Sequence, residues 1–221
     1  MATQKIVWDQ TGEKLWETGL DHGVLYKRNS EGLYPNGVAW NGLTAVTEGV
    51  SGGEANPFYA DNIKYANVMS TEEFNPNIEA YYYPDEFAEC DGSKEIAKGV
   101  SIGQQKRAVF GLSYRTLIGN DVDDADHGYK LHIVYGIQAN PSERSRSTVN
   151  ESPELATMSW DCTTTPVAVT GAKPTSHLTI DSTKVDAAKL AELEAILYGS
   201  DTAAARLPLP DEVAALVGTE G

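Results

Sequence analysis

In several segments apolar and polar positions alternate with the two-residue period of a strand. From Val38 to Thr47, Val38, Trp40 and Gly42 fall on one side, with Ala39 and Asn41 on the other. Asn77 to Tyr83 combines alternation with three consecutive aromatics, and Pro84 stops it. Arg107–Leu117 and Tyr129–Tyr135 read as two long strands joined by an acidic connection, Gly119 to Gly128. Ala156–Cys162 and Ser176–Ile180 add two more, and Gly23–Lys27 and Ile63–Met69 are short ones. Residues 5–17 predict an N-terminal hairpin, with Trp8 and Trp16 on runs that flank a turn at Gly12. The stretch 47–61 is rich in Gly, Ser and Asn and reads as a long, mobile loop.

The helical period appears once clearly, over residues 186–198. Leu190, Leu193, Ile196 and Leu197 share a face, Asp186 is a good N-cap and Gly199 supplies the stop. Burying each of those side chains is worth about 1.5–3 kcal/mol, so this helix is expected to flank a sheet. A second helical turn is expected after Pro210, within a C-terminal segment 206–221. The pattern predicts a single domain over 1–221, mainly β with a flanking α-helix (α+β).

Candidate chemistry is sparse. Gly49-Val-Ser-Gly-Gly53 matches the nucleophile-elbow pattern, but that motif needs a helix after its turn, and Glu54–Phe58 holds Pro57 and no helical period. A calcium loop starting at Asp121 would place Ala125, Asp126 and His132 where an oxygen ligand, Gly and Glu are required, so a solvated hairpin tip is the better reading. His22, His127, His132 and His177 lack metal-ligand spacing, and His132 and His177 read as partly buried structural residues. Tyr81, Tyr82 and Tyr83, as neighbours in a strand, should not form one flat surface. Cys90 and Cys162 read as two free thiols. No enzyme activity and no cofactor or metal is expected from these residues. No apolar run reaches the roughly 18–20 residues of a membrane span, and the first residues lack the apolar core of a signal peptide.

Charge sharpens the picture. With 32 acidic and 17 basic residues the formal net charge is −15, which disfavours binding to duplex DNA. The runs Tyr34-Pro-Asn-Gly-Val-Ala-Trp-Asn-Gly42, Tyr59-Ala-Asp-Asn-Ile-Lys-Tyr65 and Tyr81-Tyr-Tyr-Pro-Asp-Glu-Phe-Ala-Glu-Cys-Asp91 carry a resemblance that extends over nearly the whole chain. It continues through Leu112–Asn120 and Tyr129–Gly136 to Arg206-Leu-Pro-Leu-Pro-Asp-Glu212. Together they resemble the major tail proteins (tail tube proteins) of long-tailed bacteriophages of Gram-positive hosts.

That resemblance implies a β-sandwich or barrel-forming tail-tube fold with long loops. Six copies would form a ring and stacked rings a tube, the conduit for DNA ejection. The implied partners are other copies of the chain, a tape measure protein, a tail terminator and a baseplate or distal tail protein. DNA would pass through the lumen without specific binding, and no membrane is involved. The implied location is the virion tail, after assembly in the host cytoplasm. A tube of a phage-derived particle or secretion machine, or a monomeric carbohydrate-binding β-sandwich, are the alternatives. Within 47–61, Gly49, Gly52 and Gly53 would give mobility and Pro57, Phe58 and Tyr59 anchors to an adjacent ring. Glu79 is the expected lumen residue on the alternation of its strand.

Overall fold

The computed structural model describes residues 5–148 and 155–218. Strands account for 46% of the chain and helices for 11%, which establishes a mainly β protein with two helices. The first strand, β1 (Trp16–Lys27), is followed by the short β2 (Tyr34–Pro35) and β3 (Val38–Ala39) and by β4 (Leu43–Thr47). Next come β5 (Val50–Gly52), β6 (Ala55–Ala60), β7 (Ile63–Met69), β8 (Glu72–Phe74) and β9 (Asn77–Ala80). A small hairpin, β10 (Lys94–Ala97) and β11 (Val100–Ile102), precedes the two longest strands, β12 (Phe110–Asn120) and β13 (Asp124–Ala139). The chain closes with β14 (Met158–Thr164), β15 (His177–Asp181), α1 (Ala187–Tyr198), β16 (Arg206–Leu207) and α2 (Pro210–Val217).

The main sheet runs β3-β1-β12-β13-β14-β9-β4, with β15 also paired to β13, and curls into a half-barrel. Alternation on its central strands separates two cores. Leu25, Phe110, Leu112, Tyr114 and Val134 point inside the curl, towards Trp40, Phe87 and Trp160. Tyr26, Leu131, Ile133 and Tyr135 point outward, where Leu190, Leu193 and Leu197 of α1 cover them. Asp186 caps α1 by accepting from the amides of Ala188 (2.9 Å) and Lys189 (3.2 Å). The buried Tyr26 hydroxyl ties the layers together by donating to the Leu197 carbonyl at 2.8 Å.

One glycine stands where β13 changes partners. β13 pairs with β15 through Lys130–Val134 and with β14 through Ile137–Ala139, and Gly136 sits at the hand-over with φ of 62°. A Cβ there would lie 2.2 Å from the Thr165 carbonyl oxygen. Left-handed strain alone costs about 1–3 kcal/mol, and the clash adds to it. Gly136→Ala should therefore lower stability by about 3 kcal/mol, read as a reduced urea midpoint at unchanged m-value.

The structure corrects three sequence expectations. Residues 5–15 form no strand. Trp16 instead starts β1 and pairs with Gly119 of β12, so the expected 5–17 hairpin is replaced by a longer-range partner. The 47–61 stretch is not a loop, since it contains β5 and β6. The strand expected over Asn77–Tyr83 ends at Ala80, and the rings of Tyr82 and Tyr83 stack with planes 16° apart. In the C-terminal segment, 206–218 form β16 and α2, and 219–221 lie outside the described residues.

Candidate assembly surface and a buried polar cluster

The hairpin of β4 and β9 does not stop at the edge of the sheet. Asn75 donates its amide to the Gly49 carbonyl at 2.7 Å, Val50 pairs with Phe74, and the two strands continue as β5 with β8. Glu54 and Ser70 bridge the bend at Gly52-Gly53, and β6 with β7 carry the ribbon to a tip at Asp61-Asn62. Both tip residues are left-handed, with φ of 52° and 63°, as a tight two-residue hairpin turn requires. At the ~3.3 Å rise of a strand, Val50 to Ala60 reach roughly 35 Å.

Nearly all of the distal ribbon is exposed, although its side chains are apolar on both faces. Phe58, Ala66 and Val68 share one face, and Pro57 and Met69 share the other. Phe58 is 55% exposed and Tyr65 78%. An isolated two-stranded ribbon is marginal in water, and exposed apolar surface of this kind marks an interaction site. Of the expected contact residues, the structure gathers Pro57, Phe58 and Tyr59 on β6. Gly49, Gly52 and Gly53 lie at the ribbon's base, Gly49 and Gly52 close against the backbone of the facing segment and Gly52 and Gly53 at positive φ, rather than in a loop. Ser51, in the elbow-like run, is a strand residue whose hydroxyl accepts from Asn75 Nδ2 at 2.7 Å. Sequence reasoning missed Val50, Ile63, Tyr65, Val68 and Met69, all exposed on the same ribbon. Ile6, Val7 and Trp8 near the N-terminus and Ile96 and Val100 on the β10–β11 hairpin are exposed apolar groups as well.

Glu79 lies on the face of β9 opposite the buried Ile78 and Ala80. The strand ends at Ala80, so Tyr82 does not continue the buried face of Ile78 and Ala80 and is itself exposed. Around Glu79 the outer surface of β4, β9 and β14 is polar. Asn77 donates to Ser159 Oγ (3.0 Å) and to Asp161 Oδ1 (2.7 Å). No Lys or Arg occurs in β4, β5, β8, β9 or β14.

A second feature went unseen in the sequence. His132 and His177 meet Glu48, which stands between β4 and β5. His132 Nδ1 is 3.0 Å from Glu48 Oε1 and 3.3 Å from His177 Nε2. Tyr114 donates its hydroxyl to Glu48 Oε1 at 2.6 Å. Contact with His132 first, and then with Tyr114, holds the Glu48 carboxyl down to about 2 against the opposing effect of burial. Burial lowers the His177 imidazole below its ordinary value. The two histidines are thus in strands and mostly buried, as expected, but not isolated.

The Asp121–His127 run forms a hairpin tip, where Asn120 Oδ1 accepts from the amides of Val122 and Asp123. Cys90 and Cys162 are buried free thiols, each pushed up to about 12 by burial. No protein-family model matches the chain, and no curated protein matches it. Among the described residues, no helix is long and apolar enough to cross a membrane.

Proposed function

We propose that this chain is a structural subunit of the tail-tube kind, polymerising as stacked rings of six into a conduit for DNA. The observation that carries the reading is the ribbon of β5–β8 and β6–β7, which projects from the body and in its distal part, β6–β7, bears exposed apolar side chains on both faces. A second copy of the same chain is the natural cover, because a repeated head-to-tail contact closes into a ring and can repeat along an axis. In that arrangement the ribbon and the exposed N-terminal residues reach an adjacent ring. Sheet edges at β4 and β15 are available for pairing between neighbours.

The polar face that carries Glu79 and Asp161 is the best candidate for the channel wall. Six copies at −15 each give a formal charge of about −90, a strong field for any polymer inside. Duplex DNA carries one negative charge per about 1.7 Å, so a basic wall would retain it through counterion release, whereas an acidic wall lets it slide. Tape measure, terminator and distal tail proteins are the partners this reading supplies at the tube's interior and ends.

Electron microscopy of the concentrated protein is the test. Stacked rings with six-fold symmetry and a negative inner wall are the expected result. A persistent monomer, rings of another symmetry, or a neutral or positive channel would each remove the corresponding part of the proposal.

A further inference from the structure

We propose that Glu48, His132 and His177 bind a divalent transition-metal ion, Zn2+ in the first instance, which clamps the base of the ribbon to the sheet. The three ligand atoms stand 3.0, 3.3 and 3.6 Å from one another. In a tetrahedral site with bonds of about 2.0–2.1 Å, ligand atoms lie about 3.3–3.4 Å apart. Two imidazoles and one carboxylate are a set that zinc accepts, leaving a fourth position for water. A cleft of about 430 Å³, lined by Leu20, Thr44 and Val46 beside Glu48 and His132, gives access from solvent.

Proton accounting points the same way. Thr116 has one hydroxyl proton, and it is directed to Glu17 Oε1 at 2.6 Å. At 3.0 Å from His132 Nε2, Thr116 Oγ1 can then only accept, so Nε2 carries the proton. The charged form of His132 donates from Nδ1 to Glu48 Oε1, whereas the neutral form presents there a lone pair aimed at a carboxylate oxygen and at the second histidine. In the neutral form three electron-rich atoms converge, and a cation among them satisfies all three.

The surroundings are those of a supported site. Metal-bound histidines commonly donate their other N–H to an outer partner, and ligating carboxylates accept further hydrogen bonds. Thr116, backed by Glu17, plays the first part, and Tyr114 plays the second for Glu48. Each imidazole also lies against an aromatic ring, His132 on Tyr114 (centroids 4.7 Å apart) and His177 on Phe74 (4.9 Å). The two imidazole planes are within 7° of parallel with centroids 5.5 Å apart, so the rings meet edge to edge through their nitrogens. Seating the ion requires these edges to swing towards it. Because Glu48 begins the ribbon while His132 and His177 belong to β13 and β15, the ion would join segments that share no ladder. The inference does not depend on the tail-tube reading.

The test is titration of the intact chain with Zn2+ by calorimetry, and with Co2+ by visible absorption. We expect one ion per chain, a tetrahedral Co2+ spectrum, and a melting temperature raised by about 5 °C or more at a hundredfold excess over Kd. Glu48→Gln and His177→Gln should each weaken binding at least tenfold, while His127→Gln, at the remote hairpin tip, should leave it unchanged. Should the ligand variants misfold, zinc X-ray absorption on the unaltered chain must show two imidazoles and a carboxylate oxygen. No stoichiometric binding, or binding that survives both ligand substitutions in folded protein, overturns the proposal.

Discussion

A chain in which residues 55–69 are replaced by Asn-Gly, linking Glu54 to Ser70 through a two-residue turn, is expected to fold normally and to form no tubes. Glu54 and Ser70 already face each other, with the Ser70 amide donating to the Glu54 carbonyl at 2.9 Å and the Glu54 amide to Ser70 Oγ at 2.9 Å. An Asn-Gly turn suits a two-residue closure at that point. The excised strands contribute nothing to either buried core, so the cost to subunit stability should be within about 0.5 kcal/mol. The loss to assembly should be total. Phe58, Tyr59, Ile63, Tyr65, Val68 and Met69 are each worth about 1.5–3 kcal/mol on full burial, and even heavily discounted for association entropy they dominate any contact the ribbon makes. Light scattering and negative-stain microscopy at concentrations where the intact chain polymerises provide the readout. Normal tubes from the shortened chain would assign the contacts elsewhere. A shortened chain that fails to fold would make the ribbon part of the subunit's own structure.

What could be read in the sequence follows where each segment finds its partners. β12, β13 and α1 were legible because their side chains are buried within the chain, which imposes a two-residue or a 3.6-residue period. Of the ribbon, Ile63–Met69 reads as a strand and is β7, but the arm of β5 and β6 has no buried face within the chain and so no period to read. The Gly, Asn and Pro content of that arm looked like a loop, yet Pro57 is tolerated because strands at an edge can forgo a donor. Residues 5–17 misled in the opposite direction. Trp8 and Trp16 flank a plausible turn, but Trp16 pairs 103 positions away, with Gly119, and Gly12 donates to Asp121 Oδ1 at 2.9 Å. The Glu48–His132–His177 cluster depends on the pairing of β13 with β15, which sets His132 opposite Thr179 and Val134 opposite His177. Alternation could place each histidine on a strand, but only that register and the curl of the sheet bring Glu48 to them.

Trp160→Ala is expected to cost 3–5 kcal/mol, the usual range for truncating a fully buried tryptophan, and this is a large share of the roughly 5–15 kcal/mol that holds a domain folded. Trp160 is wholly buried at the centre of the inner core. Phe87 meets it edge-on with centroids 5.0 Å apart, as do Tyr83 at 5.8 Å and Trp40 at 6.0 Å. The Arg144 guanidinium lies over its ring at 5.9 Å. Its indole N–H donates to Asp91 Oδ1 at 2.9 Å, and Asp91, itself only 10% exposed, is also paired with Arg107 and Arg144. Alanine therefore opens a cavity among three aromatic rings and removes a donor from a nearly buried carboxylate, two losses that act together. Trp160→Phe keeps much of the volume and forfeits the N–H, and should fall well short of the alanine value. Trp8, 74% exposed, is the contrast: Trp8→Ala should move the subunit's urea midpoint by no more than about 0.5 kcal/mol in equivalent free energy. Equal effects from Trp160→Ala and Trp8→Ala would mean that the aromatic cluster inside the half-barrel is not what holds the curl together.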